Sequence, residues 1–339
     1  MNHEIDTTFF NTRTDLAIDQ ITKNDKNVDK EIIDDVIITT ITIDDKNKNI
    51  YNKKKGKYIT IEFNDITDFN NNKKIEKIFI DKLKELLDIY NINDNNTCLV
   101  IGLGNQNSTP DALGPLTINN ILVTNHFYCL GINVEKGFRS VAAISPGVMG
   151  QTGIETFDIV NSIVKEIKPD FIIIVDSLKA SEVNRINKTI QITDAGINPG
   201  SGIGNNRKEI SKDVLNIPVF AIGVPTVVDT ITIINDSIKY MSNYYSYIKN
   251  NKDNASEKLK IVRTNFKNNN IDINDKKELF GLIGTLSEEE LKLYLNEVLV
   301  PIGYNLIVTP KDIDFIVEKL SSLLSNGINN VLHKNVTQL

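Results

Sequence analysis

The sequence predicts an α/β fold: a largely parallel sheet flanked by helices on both faces, with added strands ahead of it and helices behind it. Three observations predict it. From Cys98 onward, short apolar runs alternate with stretches of helical periodicity. Two of those runs, Cys98-Leu-Val-Ile101 and Phe171-Ile-Ile-Ile-Val175, are apolar throughout, as buried strands are. Each delivers a carboxylate just past its end, Asp111 after the Gly102 and Gly104 loop and Asp176 directly. The carboxyl ends of strands are where open α/β sheets place ligands and chemistry.

Taken in order, residues 1 to about 30 are polar and read as an arm, with Phe9-Phe10 and Leu16-Ala-Ile18 as small apolar anchors. Val36–Ile43 and Tyr58–Phe63 are β-branched and partly alternating, and predict two strands joined by the Lys53-Lys-Lys-Gly56 turn. Ile75, Ile78, Phe79, Leu83, Leu86 and Leu87 form a helical stripe over Ile75–Tyr90. After the Cys98 strand a helix is expected over about 112–128, then a strand at Val141–Ile144 and a helix over about 153–167. The Phe171 strand follows, then a short strand at Thr189–Ile192, a strand at Val219–Ile222 and a helix over about 228–248. Residues 249–275 read as a flexible insertion. Two tail helices are expected at about 287–298 and 311–324, with Pro310 at a good helix entry and Asn305–Thr309 as a strand or extended connector.

Bulk properties narrow the function. At 339 residues the chain buries a sizeable core, and its net charge of −6 disfavours direct nucleic-acid binding, which wants a basic face. Two cysteines, Cys98 and Cys129, make neither a disulfide framework nor a zinc spacing. The sequence shows no signal peptide and no apolar run long enough to span a bilayer, so a soluble intracellular protein without membrane partners is expected.

The three histidines, His3, His126 and His333, are poorly placed for a Ser-His-Asp, Cys-His or His-rich zinc site. Carboxylates are then the natural acid and base. Two held close cannot both ionise easily, so one keeps a proton; such a pair activates water and protonates a leaving amine. An Asp after a strand also commonly caps the next helix, and that reading stands for Asp111 and Asp176 taken singly. Two of them, each following a very apolar strand, favour a shared site. Asp194 is a third candidate and equally a turn residue. Glycine-rich loops at 145–153, 194–205 and 223–226 allow a close backbone approach, for example to an extended peptide or a water. The chain lacks the third glycine of a dinucleotide fingerprint and has no P-loop lysine. A non-catalytic binding module on the same scaffold is the reading from another class.

Long motifs then point to a family. Arg13-Thr-Asp-Leu-Ala17, Gly102-Leu-Gly-Asn-Gln-Asn-Ser-Thr-Pro-Asp-Ala-Leu-Gly-Pro115, Pro146-Gly-Val-Met-Gly-Gln-Thr-Gly-Ile-Glu-Thr156, Asp194-Ala-Gly-Ile-Asn-Pro-Gly-Ser-Gly202, Ile222-Gly-Val-Pro-Thr-Val-Val-Asp229 and Asn305-Leu-Ile-Val-Thr-Pro-Lys311 resemble the germination proteases of spore-forming bacteria over nearly the whole chain. The resemblance implies a fold similar to hydrogenase maturation proteases. It implies an atypical aspartic-type endopeptidase with Asp111 and Asp176 as the essential pair, and no cofactor. Because related maturation enzymes bind metal through carboxylates at similar strand ends, a metal-dependent peptidase using the same residues is the alternative. The family is made as a homotetrameric zymogen that cleaves itself. Here the matching bond is Asp15–Leu16, which makes residues 1–15 a propeptide and 16–339 a single protease domain. The implied substrates are small acid-soluble, DNA-coating spore proteins, met in the cytoplasm of the spore core. Asn105 and the loop amides of 145–153 and 194–202 are candidates to polarise the scissile carbonyl.

Overall fold

A computed structural model describes residues 15–20, 27–51, 53–200, 207–252 and 271–336. The predicted arm and the 249–275 insertion lie mostly outside the described residues. Two compact units emerge: one within Arg13–Ala180, Asn184–Val227 and Thr309–Leu339, the other made of Ser181–Val183 and Val228–Val308.

The larger unit is built on a sheet. Its strands are β1 (Val28–Ile33), β2 (Val36–Ile43), β3 (Gly56–Glu62), β4 (Cys98–Gly102), β5 (Val141–Ile144), β6 (Phe171–Lys179), β7 (Thr189–Thr193) and β8 (Val219–Asp229), in the spatial order β1-β2-β3-β7-β8-β6-β4-β5. Strands β5, β4, β6 and β8 run parallel. From β8 outward, β7, β3, β2 and β1 pair antiparallel. The sheet is therefore mixed rather than largely parallel, and β8 is where its sense changes. Apolar patterning shows which face a strand buries and says nothing of its direction, which is why the sequence did not reveal the antiparallel half.

Strand β1 begins within the expected arm, which the sequence predicts to about residue 30. Its sequence, Val-Asp-Lys-Glu-Ile-Ile, has little alternation because it is an exposed edge. It forms through its ladder with β2, from Val28↔Ile41 to Ile33↔Val36, closed by Asp34 at φ +55°. Such a left-handed position suits Asp or Asn in a hairpin turn.

One face of the sheet packs on α1 (Phe69–Ile89) and on the last helix, Ile313–Leu332; its core includes Ile59, Ile61, Phe79, Leu83, Val100, Ile173, Ile222, Leu320 and Leu324. The other face has two coverings. Over the parallel half lies the helix Thr156–Ile167, whose Phe157, Val160 and Val164 meet Leu99, Ile101, Ile172 and Ile174. Over the antiparallel half, Ala17 and Tyr51 pack on Ile41, Ile43 and Tyr58.

The helix expected over about 112–128 is two short pieces. Leu113–Ile118, here α2, stops at Asn119, and Asn125–Cys129 is a separate turn. The residues between take tertiary partners instead: Leu122 donates its amide to the Asn329 side chain, and Thr124 its amide to Val141 O. The helix Thr156–Ile167 is α3, preceded by a one-turn helix that ends at Gly153. Strand β6 runs on past Val175, so Asp176 lies inside a strand and caps no helix.

In the smaller unit, α4 (Thr230–Asn250) starts later than expected, because β8 continues to Asp229, whose carboxylate caps it through Thr232 N–H at 2.8 Å. There β9 (Ile307–Val308) pairs with Val228 and Asp229. The helix Ile273–Phe280, here α5, carries no buried side chain. Glu288–Leu299, here α6, begins with a capping box between Ser287 and Glu290. The last helix, Ile313–Leu332, here α7, runs eight residues beyond its expected end at Leu324, since Leu332 closes it. No helix among the described residues is long and apolar enough to cross a membrane.

His333 ties the end of α7 to the rest of the larger unit, to which that helix belongs. Its Nδ1 accepts the Arg139 amide at 3.2 Å and its Nε2 lies 3.1 Å from Leu122 O. That pattern needs the neutral ring with its proton on Nε2. Burial pushes its pKa below the ordinary 6.5. A base with a depressed folded pKa contributes stability above its unfolded pKa and loses it as pH falls. Thermal melts should therefore show stability declining from about pH 6.5 downward, and His333→Gln should flatten that decline. An unchanged pH slope in the variant would refute this role.

Candidate active site at the change of strand direction

The Asp111 carboxylate is placed by a loop that folds back on itself. Strand β4 ends at Gly102, and Leu103 donates its amide to Val175 O at 2.8 Å. Gly104 then turns at φ +117°, where a Cβ would stand 2.0 Å from Asp111 O, so no other residue fits. The Asn105 amide is shared between Asp111 Oδ2 at 2.9 Å and Asp111 O at 3.1 Å. Thr226 of β8 donates its hydroxyl to Pro110 O at 2.6 Å, and Thr309 donates to Thr226 O at 2.9 Å. Gly114, at the start of α2, lets this loop close: a Cβ there would meet Leu103 O at 2.2 Å.

Asp176 sits on β6, opposite Gly223 of β8. It is 7% exposed, and its Oδ1 accepts the Ser177 amide at 2.9 Å. The two aspartates are brought together electrostatically. Burial raises the Asp111 pKa above the ordinary carboxylate value, opposed by the Asn105 amide. Burial raises that of Asp176 further still, helped by the charge of Asp111 and then by that of Asp15. Of the two, the more deeply buried Asp176 is the one favoured to keep a proton.

Asp15 stands two residues ahead of the 3-10 helical turn Ala17–Gln20 and is tied to the end of β6. Its amide donates to Lys179 O at 3.4 Å, and its Oδ2 accepts the Lys179 amide at 3.0 Å, at the end of β6. The next two residues, Leu16 and Ala17, are fully buried. Gln191 of β7 holds both sides of the Asp15–Leu16 peptide bond. Its Oε1 accepts the Ala17 amide at 2.7 Å, and its Nε2 donates to Asp15 O at 3.3 Å. Gln191 pairs with Gly223, which pairs with Asp176, so the three residues face the same side of the sheet across three strands. Sequence reasoning missed Gln191. In Thr-Ile-Gln-Ile-Thr it reads as the solvent side of an alternating strand, yet it is 5% exposed.

The other candidates fall in different places. Asn105 lies in the Asp111 loop, but its side-chain oxygen accepts from Gln151 Nε2 and from the Asn107 amide. Asp194 is not brought to the pair. Strand β7 is antiparallel to β8, so its end points back toward the start of β8. There Asp194 accepts the Lys57 amide at 2.7 Å and the Tyr90 hydroxyl at 3.0 Å, a turn role that anchors β3. Among the described residues, no group of three or more His, Cys, Asp or Glu side chains is placed to hold a metal ion.

A mixed α/β fold that carries a buried and a half-buried carboxylate, the one raised by the charge of the other, fits the class of peptidases. Comparison with known proteins gives the same class. The germination protease family model matches residues 6–339. The germination protease of Oceanobacillus iheyensis is 43% identical, over 96% of this chain and 95% of that protein. Those of Bacillus velezensis and Bacillus subtilis are 42% and 40% identical, each over 99% of this chain and 97% of theirs. The chain belongs to the germination protease family. Among solved structures, the NiFe hydrogenase maturation protease HycI from Thermococcus kodakarensis KOD1 matches 39% of this chain and 74% of that one, at 16% identity and a TM-score of 0.26.

The buried carboxyl also predicts a stability profile. A group whose folded pKa is raised stabilises the fold while protonated, and that contribution is lost as pH rises through the folded value. Asp176→Asn keeps an acceptor for Ser177 and cannot ionise. It should melt a few degrees above wild type near pH 8, with the gap closing toward pH 4. A variant less stable than wild type throughout this range would contradict the placement of Asp176.

Proposed function

We propose that this chain is a self-processing zymogen of an endopeptidase that begins the degradation of small acid-soluble, DNA-coating proteins in the spore core during germination. The observation that carries this reading is the Asp15–Leu16 bond, whose carbonyl accepts from Gln191, while the Asp15 carboxylate accepts from the Lys179 amide and its charge is felt at Asp176. Residues 1–15 are then the propeptide and residues 16–339 the protease domain.

The chemistry is aspartic-type. Asp111, stabilised as an anion by the Asn105 amide, takes a proton from a water, which attacks the Asp15 carbonyl carbon. Asp176, keeping its proton until then, gives it to the departing Leu16 nitrogen as the C–N bond breaks. The products are the Asp15 carboxylate and a free Leu16 amine. The contacts also support a preference for an acidic residue followed by an apolar one: the Asp15 carboxylate meets a backbone amide, and Leu16 is buried. Spore-protein substrates would occupy the same path after residues 1–15 leave. The working assembly is then a homotetramer: light scattering should give four chain masses, and a monomer would contradict it.

Mass spectrometry after incubation at mildly acidic pH should show loss of residues 1–15 in wild type. Asp111→Asn and Asp176→Asn should stay intact while folding normally, with rates at least about a thousandfold lower. Full processing by both variants would sink the pair. Exhaustive chelation should leave the wild-type rate unchanged; a loss restored by a divalent cation would assign the same carboxylates to metal-assisted hydrolysis.

A further inference from the structure

We infer that Gln191 is a catalytic residue of this peptidase: its side-chain amide donates to the scissile carbonyl oxygen and stabilises the oxyanion that forms there. The inference rests on the reading of Asp15–Leu16 as a cleaved bond. As water adds to the Asp15 carbonyl carbon, the C=O electron pair moves onto oxygen and negative charge grows there. When the pair returns, the bond to Leu16 nitrogen breaks. A donor aimed at that oxygen is worth more in the transition state than at rest.

Gln191 meets the geometric requirements. Its Nε2 already points at Asp15 O, at 3.3 Å, and a developing charge would shorten that contact. Its orientation is set from the other end, because only the amide oxygen can accept from Ala17 N–H, at 2.7 Å. It is buried, so the hydrogen bond acts in a low-dielectric surrounding. Its strand position gives it a distinct line of approach. Gln191 and Asp176 share a face with one strand, at Gly223, between them. At strand spacing their backbones stand about 10 Å apart. The side-chain oxygen of Asn105 is engaged with Gln151 and Asn107, and the nearby Lys179 amide serves the Asp15 carboxylate.

The same two contacts describe a substrate rule. In any bound chain Gln191 would hold the carbonyl of the residue before the cut and the amide of the second residue after it. Proline at that second position lacks the amide and would be rejected.

The test uses the full-length chain. Gln191→Glu keeps the acceptor for Ala17 and removes the donor. Gln191→Met removes the donor without adding charge, should the glutamate variant fail to fold. The first-order loss of residues 1–15 is followed by mass spectrometry, and docking of the segment by hydrogen exchange at the Ala17 amide. The expected result is a rate about 10²–10³-fold below wild type, with Ala17 still protected in Gln191→Glu. Folded variants that process within threefold of wild type would overturn the inference and leave the protease reading standing. A rate that falls only together with Ala17 protection would also overturn it, since Gln191 would then merely dock the segment. Wild type that never loses residues 1–15 would overturn the self-processing reading and this inference with it.

Discussion

The reversal of strand sense at β8 is the constraint on which the rest of the larger unit depends. Parallel strands need crossover helices, which cover both faces of the β5-β4-β6-β8 half. The antiparallel half needs none, so one of its faces is left to another covering, here the segment around Ala17. A seam results where α3 gives way to that segment. Asp176 and Gln191 lie on this seam, one strand to each side of β8. A sheet parallel throughout would cover this face with helix and leave no lane for an extended peptide.

The seam also explains how a carboxyl survives inside a strand that begins with five apolar residues. Leaving Asp176 ionised there would cost the fold, and the neighbouring charges of Asp111 and Asp15 add to that cost. The molecule answers with protonation and one backbone amide rather than with a cation. A full ion pair would have made the site quieter and more stable, and would have removed the acid that peptide cleavage needs. The tight Gly104 turn does related work for Asp111, whose carboxylate receives a backbone amide while remaining half-buried.

Much of this was legible in the chain. Runs such as Phe171–Val175 are apolar enough to demand burial, and the stripe from Ile75 to Leu87 could only be a helix packed on one side. The glycines flanking Asp111 announce a loop too tight for side chains. Other features were not legible. Asp176 reads in sequence as the end of a strand because the apolar run stops there; the strand continues because β8 supplies partners as far as Val227. The helix expected after Ala112 breaks because Asn329 and Val141 outbid it for the backbone of Leu122 and Thr124. Asp194 looked like the other two aspartates, and only the direction of β7 carries it away from them.

The sequence by itself determined most of the elements, the buried faces and the two candidate carboxylates, because periodicity and turn chemistry are short-range properties of a chain, while its long motifs carried the resemblance that implies the Asp15–Leu16 bond. The tertiary structure alone decided strand direction, which carboxyls share a field, and that Gln191 grips the Asp15–Leu16 peptide. Those depend on residues 174 and 176 positions away from one another in the chain. Nothing in the local pattern of either partner encodes such a meeting; only the register of a folded sheet brings it about.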